Sequence, residues 1–86
     1  MPLNLLIADD HALFNEGLKL LLEANLSVNQ IDTVTDGKQA IQASIQSDYD
    51  FILLDIRMPA IDGIEVCAEI KRIKPATKII MISMSS

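Results

Sequence analysis

Phe51-Ile52-Leu53-Leu54-Asp55-Ile56-Arg57-Met58-Pro59-Ala60-Ile61-Asp62-Gly63-Ile64-Glu65 is the stretch whose reading decides the fold. Its first four residues are apolar without a break, which suits a short strand buried on both faces. The run stops at an acid, Asp55, and a loop containing Pro59 follows. Asp62-Gly63-Ile64-Glu65 then has the form of a capping box, with Asp62 as N-cap and Glu65 three residues on. The helix it opens carries Val66, Cys67, Ile70 and Ile73 as its buried stripe. Lys71, Arg72 and Lys74 fall in its last turn, where they complement the helix dipole as a solvated end, and Pro75 stops it.

The same alternation extends in both directions. Upstream, Leu3 to Ala8 is an apolar run broken only by Asn4 and ending in Asp9-Asp10, again a buried strand. Ala12 to Ala24 places Phe14, Leu18, Leu21 and Leu22 at helical spacing, with Asn25 as the stop. Gln30 to Thr35 reads as a strand through the β-favouring Thr33 and Thr35, although Ile31 and Val34 fall on opposite faces. Asp36 caps a second helix, with Gln39 three residues on and Ala40, Ile41, Ser44 and Ile45 facing inward. Downstream, Lys78 opens a last strand, Ile79 to Ile82, followed by Ser83-Met84-Ser85-Ser86. The order β-α-β-α-β-α-β predicts parallel strands joined by right-handed crossovers. In such a sheet, chemistry gathers outside the carboxyl ends of the strands, near the point where strand order reverses.

Composition bounds the rest. At 86 residues the chain is one domain at most, near the lower end of what folds around a single core. Half of it is apolar, with two Phe, one Tyr and no Trp, so aliphatic residues supply the core volume. A net charge of −5 argues against direct binding to nucleic-acid phosphates. Cys67 is the only cysteine, which excludes an intrachain disulfide and points to a reducing compartment. No apolar run reaches the ~18 residues of a membrane span. The apolar start at Met1 has no basic flank and runs straight into Asp9-Asp10, so it reads as a strand and not a signal peptide, and the expected location is cytoplasmic.

Three acids end two strands: Asp9 and Asp10 the first, Asp55 the third. If those strands are neighbours, three carboxylates share one pocket. Two unit charges ~4 Å apart repel by roughly 4 kcal/mol at an effective dielectric of ~20. Nothing nearby in sequence is an obvious neutralising partner, so a cation is the natural remedy, and carboxylate and carbonyl oxygens suit Mg²⁺. The plain alternative is that Asp9 and Asp10 are helix caps or loop residues; Asp55 at a second strand end weighs against it.

Asp9-Asp10, Asp55, Met58-Pro59, Asp62-Gly63 and Ser83 stand in the order and spacing of a known pattern. The chain resembles the response-regulator receiver domains of two-component signalling over its whole length. Asp9-Asp10-His11, Leu13-Phe14, Glu16-Gly17-Leu18 and the pair Ser83-Met84 are similar to the NarL/FixJ (LuxR-type) branch. The resemblance implies an α/β, flavodoxin-like (CheY-like) doubly wound parallel sheet of strand order 2-1-3-4-(5). It implies Asp55 as phosphoacceptor from a sensor histidine kinase. Mg²⁺ would sit on Asp10, the Asp55 carboxylate and the Arg57 backbone carbonyl, with Asp9 acting largely through water. Met58-Pro59 would shape that loop, Asp62-Gly63 would end it, and the Ser83 hydroxyl would bind the phosphoryl oxygens and act as the switch.

Against that pattern, residues 1–86 are expected to form one incomplete receiver domain. The fourth helix, fifth strand and fifth helix are wanting, and with them the family's fifth-strand Lys, a role for which Lys78 lies at the wrong end of the sheet. The branch implies DNA binding only through a C-terminal helix-turn-helix domain that the sequence does not contain. The chain is read as no enzyme in its own right: an aspartate-nucleophile phosphatase would want an acid where Arg57 stands. A competing expectation is a phosphorylation-incompetent module that forms a homodimer through an exposed fourth strand, Ile79-Ile80-Met81-Ile82. His11 is read as a surface residue at a helix start, Cys67 and Met81 as core packing, and Met84 as a switch-loop residue.

Overall fold

Both faces of the first strand, β1 (Leu3–Ala8), are dry, because Leu6 and Ala8 enter one apolar cluster while Leu5 and Ile7 enter another. The computed structural model describes residues 2–58 and 61–82. In chain order β1 is followed by α1 (Ala12–Asn25), β2 (Val28–Val34), α2 (Gly37–Gln46), β3 (Phe51–Asp55), α3 (Gly63–Ile73) and β4 (Lys78–Ile82). The strands form one parallel sheet of order β2-β1-β3-β4.

The order reverses between β1 and β3. The chain steps from β1 outward to β2, then crosses back over β1 to reach β3 and continues to β4. With crossovers of one hand, that reversal puts α1 on one face and α2 and α3 on the other. The clusters show this division. Leu6, Ala8, Ala40, Tyr49, Ile52, Leu54, Val66 and Ile70 make the larger core under α2 and α3. Leu5, Ile7 and Ile31 make the smaller one, with Leu18 and Leu22 of α1 packed on it.

The expected elements are present, with shifted edges and flanks. β2 starts at Val28 rather than Gln30 and ends at Val34, because Leu3 and Asn4 of β1 pair with Val28 and Gln30 across an irregularity in the register. Leu21 and Ile45 are exposed instead of facing inward. At about 100° per residue, Asn15, Leu18 and Leu22 form the packed stripe of α1 and Leu21 lies on its far flank. On α2 the stripe is centred on Gly37, Ala40 and Ser44, which leaves Ile45 at its edge. A Cβ on Gly37 would come within 2.6 Å of Val66 Cγ2, so small residues on this stripe let α2 lie close to α3. Both N-caps hold: Asp36 accepts from the Gln39 N–H at 2.8 Å, and Asp62 from the Glu65 N–H at 3.0 Å.

The basic end of α3 is more tied down than a solvated end. Lys71 Nζ donates to the carbonyls of Thr77 (2.6 Å) and Pro75 (3.2 Å), closing the turn into β4, and Lys74 pairs with Asp48. Arg72 pairs with Glu69 on the surface. The stripe Val66, Ile70, Cys67 and Ile73 is as expected, fully buried at its centre and half-buried at its flanks.

Candidate functional site

Register brings the acids together. Ala8 of β1 pairs with Leu54 of β3, so Asp9 and Asp55, each one residue further on, lie side by side at the carboxyl edge of adjacent strands. One ligand atom from each of Asp9, Asp10, His11 and Asp55 falls within 4.8 Å of all the others. This is the point where strand order reverses, as the topology rule requires.

The environments of the carboxylates differ. Asp9 is wholly buried and Asp55 nearly so, whereas Asp10 is about a third exposed. Burial pushes the Asp55 carboxyl above its ordinary pKa; the Arg57 N–H, which donates to Oδ1 at 3.1 Å, pulls it back, and the charges of Asp9 and Asp10 raise it further. Oδ1 of Asp9 accepts from the His11 backbone N–H at 2.8 Å, while its Oδ2 is buried with no partner. A carboxylate oxygen stranded in this way costs several kcal/mol unless a cation or water meets it. The donor set, three carboxylates around one point, fits a small hard cation such as Mg²⁺.

Two residues not expected at the site shape it. Asn15, buried on α1, donates from Nδ2 to the Asp9 carbonyl (2.9 Å) and the Val34 carbonyl (3.1 Å). Both partners are acceptors, which fixes the amide orientation. The clamp joins the ends of β1 and β2 and holds the backbone from which Asp9 projects. Its signal in the sequence was a polar residue on the apolar stripe, one turn before Leu18. His11 is at the helix start and exposed, as expected, but its ring turns back on the acids, with Nδ1 2.6 Å from Asp9 Oδ1 and 3.1 Å from Asp10 Oδ1. The hydrogen bond to Asp9, helped by the charges of Asp10 and Asp9, raises the imidazole pKa above its ordinary value.

The β3–α3 loop is anchored from both ends. Met58 is buried against the larger core, and the Gly63 N–H donates to the Ile56 carbonyl at 2.8 Å. A Cβ on Gly63 would lie 2.4 Å from the Asp55 carbonyl oxygen and 2.7 Å from Ile56 Cα, so only glycine lets α3 start this close to the acidic strand end. Pro59, and the expected switch residues Ser83 and Met84, lie outside the described residues.

A parallel sheet of this order, bearing an acid cluster at its reversal point, is a flavodoxin-like (CheY-like) α/β domain. The chain belongs to the response regulator receiver domain family, whose model matches residues 5–86. It is 42% identical over 79 residues to the transcriptional regulatory protein ResD of Bacillus subtilis, covering 92% of this chain and 32% of that protein. It is 36% identical over 77 residues to the probable transcriptional regulatory protein NarL of Mycobacterium tuberculosis, covering 90% and 36% respectively. The chain thus spans about a third of the length of these relatives. Among solved structures it is similar to response regulator TrrA from Thermotoga maritima in complex with Mg²⁺ and BeF, with a TM-score of 0.87 and 36% identity over 100% of this chain and 72% of that one. No helix among the described residues is long and apolar enough to cross a membrane.

Proposed function

We propose that this chain is the phosphoacceptor part of a two-component response regulator, and that Asp55 takes a phosphoryl group from the phosphohistidine of a sensor histidine kinase. The observation that carries this reading is the fully buried Asp9, with Oδ2 unpartnered, beside a nearly buried Asp55 at the carboxyl edge of adjacent strands. Asp10, the Asp55 carboxylate and the Arg57 backbone carbonyl would hold Mg²⁺, with Asp9 acting largely through water. When bound, that ion neutralises the carboxylates and the charge on the incoming phosphoryl oxygens.

Within this reading an Asp55 oxygen attacks phosphorus as the P–N bond of phosphohistidine breaks, and the imidazole leaves with a proton. A carboxylate is a weak nucleophile, so the work of the chain is positioning. The Arg57 N–H fixes one Asp55 oxygen, and Gly63 lets α3 brace the backbone beneath it. Ser83 would bind the new phosphoryl oxygens and pass the change to the far face. The names of the relatives support transcriptional control as the output; within this reading a DNA-binding helix-turn-helix domain outside this sequence delivers it, in the cytoplasm.

Acetyl phosphate with Mg²⁺ should add one phosphoryl group to the complete receiver domain, at Asp55, and removal of the metal by EDTA should stop it. Mg²⁺ alone should shift the amides near Asp10 and Asp55, with the response lost in Asp10→Asn. Labelling that persists in a folded Asp55→Asn variant would move the acceptor elsewhere. A second reading, an interaction module that associates through β4 without phosphorylation, is favoured by the 45% exposure of Ile80 on that strand.

A further inference from the structure

His11 stands at the N-cap of α1 yet its side chain makes no capping bond to the helix. The ring is instead turned onto the acid pair, with Nδ1 at 2.6 Å from Asp9 Oδ1 and 3.1 Å from Asp10 Oδ1. Two donors bonded at ~2.1 Å to one ion stand about 3.0 Å apart at right angles and about 3.4 Å apart at the tetrahedral angle. The 3.1 Å between Nδ1 and Asp10 is the spacing of adjacent ligands. The 2.6 Å to Asp9 is a hydrogen bond that must widen by a few tenths of an ångström for an ion to replace its proton, and Asp55 places a fourth donor within 4.8 Å. The unpartnered Oδ2 of the fully buried Asp9 is the independent sign that the cluster has capacity for an ion. With 62% of its side chain exposed, His11 can be reached from solvent without opening the fold.

Oxygen donors alone suit Mg²⁺, whereas an imidazole nitrogen among them suits zinc-class ions. We infer that the pocket has a second metal preference: Zn²⁺ or Co²⁺ binds through the His11 ring nitrogen together with the Asp9 and Asp10 carboxylates, and excludes Mg²⁺ by occupying the same oxygens. The inference rests on the reading of this pocket as a cation site and adds to it a nitrogen ligand and a competing class of ion.

The test uses purified, metal-free protein carrying Cys67→Ser throughout, so that the thiol takes no zinc. Zn²⁺ and Mg²⁺ affinities are measured by calorimetry for this protein, for His11→Ala and for Asp10→Asn, with folding checked by circular dichroism. His11 is the only histidine, so its ring ¹⁵N signals report ligation directly. The expected result is a Zn²⁺-dependent shift of one ring nitrogen, absent with Mg²⁺, and a Zn²⁺-to-Mg²⁺ affinity ratio at least about tenfold lower in His11→Ala. Mg²⁺ added in excess should reverse the nitrogen shift. An unchanged ratio in a folded His11→Ala variant, or ring nitrogens indifferent to Zn²⁺, overturns the inference while leaving the Mg²⁺ site standing. Failure of both ions to perturb Asp9, Asp10 and Asp55 would remove the cation site itself.

Discussion

At the scale of single residues, the site was legible where chemistry is written in residue type and hidden where it depends on what the fold brings near. Asp9, Asp10 and Asp55 announce themselves as acids ending apolar runs, and the structure gathers them. Asn15 could not be assigned from sequence, because its partners, the carbonyls of Asp9 and Val34, meet only once β1 and β2 pair. His11 read as a surface residue because nothing in its spacing says which way an N-cap ring turns. Gly63 was legible as part of a cap, but its closer role is to let α3 meet the Asp55 carbonyl. Gly63→Ala should therefore destabilise the fold by about 1–3 kcal/mol, since the Cβ at 2.4 Å meets backbone that cannot swing aside. Gly17→Ala is the matched control. Its Cβ meets nothing within 4 Å, and alanine is favoured by roughly 0.5–1 kcal/mol inside a helix, so it should stabilise. Urea unfolding of the two variants checks both signs; equal effects would mean that the approach at Gly63 relaxes freely.

At the scale of elements, β2 shows what an edge strand needs beyond its ladder. Of its seven residues only Ile31 is buried, which is why its periodicity was weak and its start was misplaced by two residues. The helices α1 and α2 were legible in position but not in the width of their buried faces, since a helix wheel does not say how far the sheet beneath it reaches. β2 is held by its pairing with β1 and by Tyr49, whose hydroxyl donates to Asp32 Oδ2 at 2.5 Å from the α2–β3 loop. Burial, then this bond, pushes the Tyr49 pKa up to about 12. The phenol is thus harder to ionise in the folded chain than in the unfolded one. Its contribution to stability is fully present below the unfolded value near 10 and is lost as pH rises toward 12, at up to ~1.4 kcal/mol per pH unit. The stability difference between the protein and Tyr49→Phe should be flat below pH ~10 and shrink above it. Tyr49 is the only tyrosine, so phenolate absorbance follows the same group. A midpoint near 10 in the folded chain would mean that neither the burial of Tyr49 nor its bond to Asp32 holds.

At the scale of the whole molecule, the two faces of the sheet are unequally covered. α2 and α3 close the larger core, while among the described residues α1 alone covers the other face. Beside α1 runs an apolar groove of about 330 Å³, lined by Leu3, Leu5, Leu22, Leu26, Phe51, Leu53 and Ile80. β4, the strand that carries Ile80, pairs with β3 alone among the described residues, so its other edge offers backbone donors and acceptors to a second strand. Apolar groove and open edge adjoin, and a second copy of the 86-residue chain could cover both at once. Domains this small have little stability to spare, so the chain alone should self-associate as concentration rises. Alternation along β4 makes the claim separable. Ile79 packs on the larger core beneath α2 and α3, whereas Ile80 lines the groove and is 45% exposed. Ile80→Lys should stay folded and sediment as a monomer, because the ammonium reaches water from the groove but cannot be buried in an interface. Ile79→Lys should unfold the chain, because there the charge enters the core. Sedimentation of the unsubstituted chain over a hundredfold range of concentration decides the matter: a folded monomer throughout would show that the groove and edge are stable in water on their own.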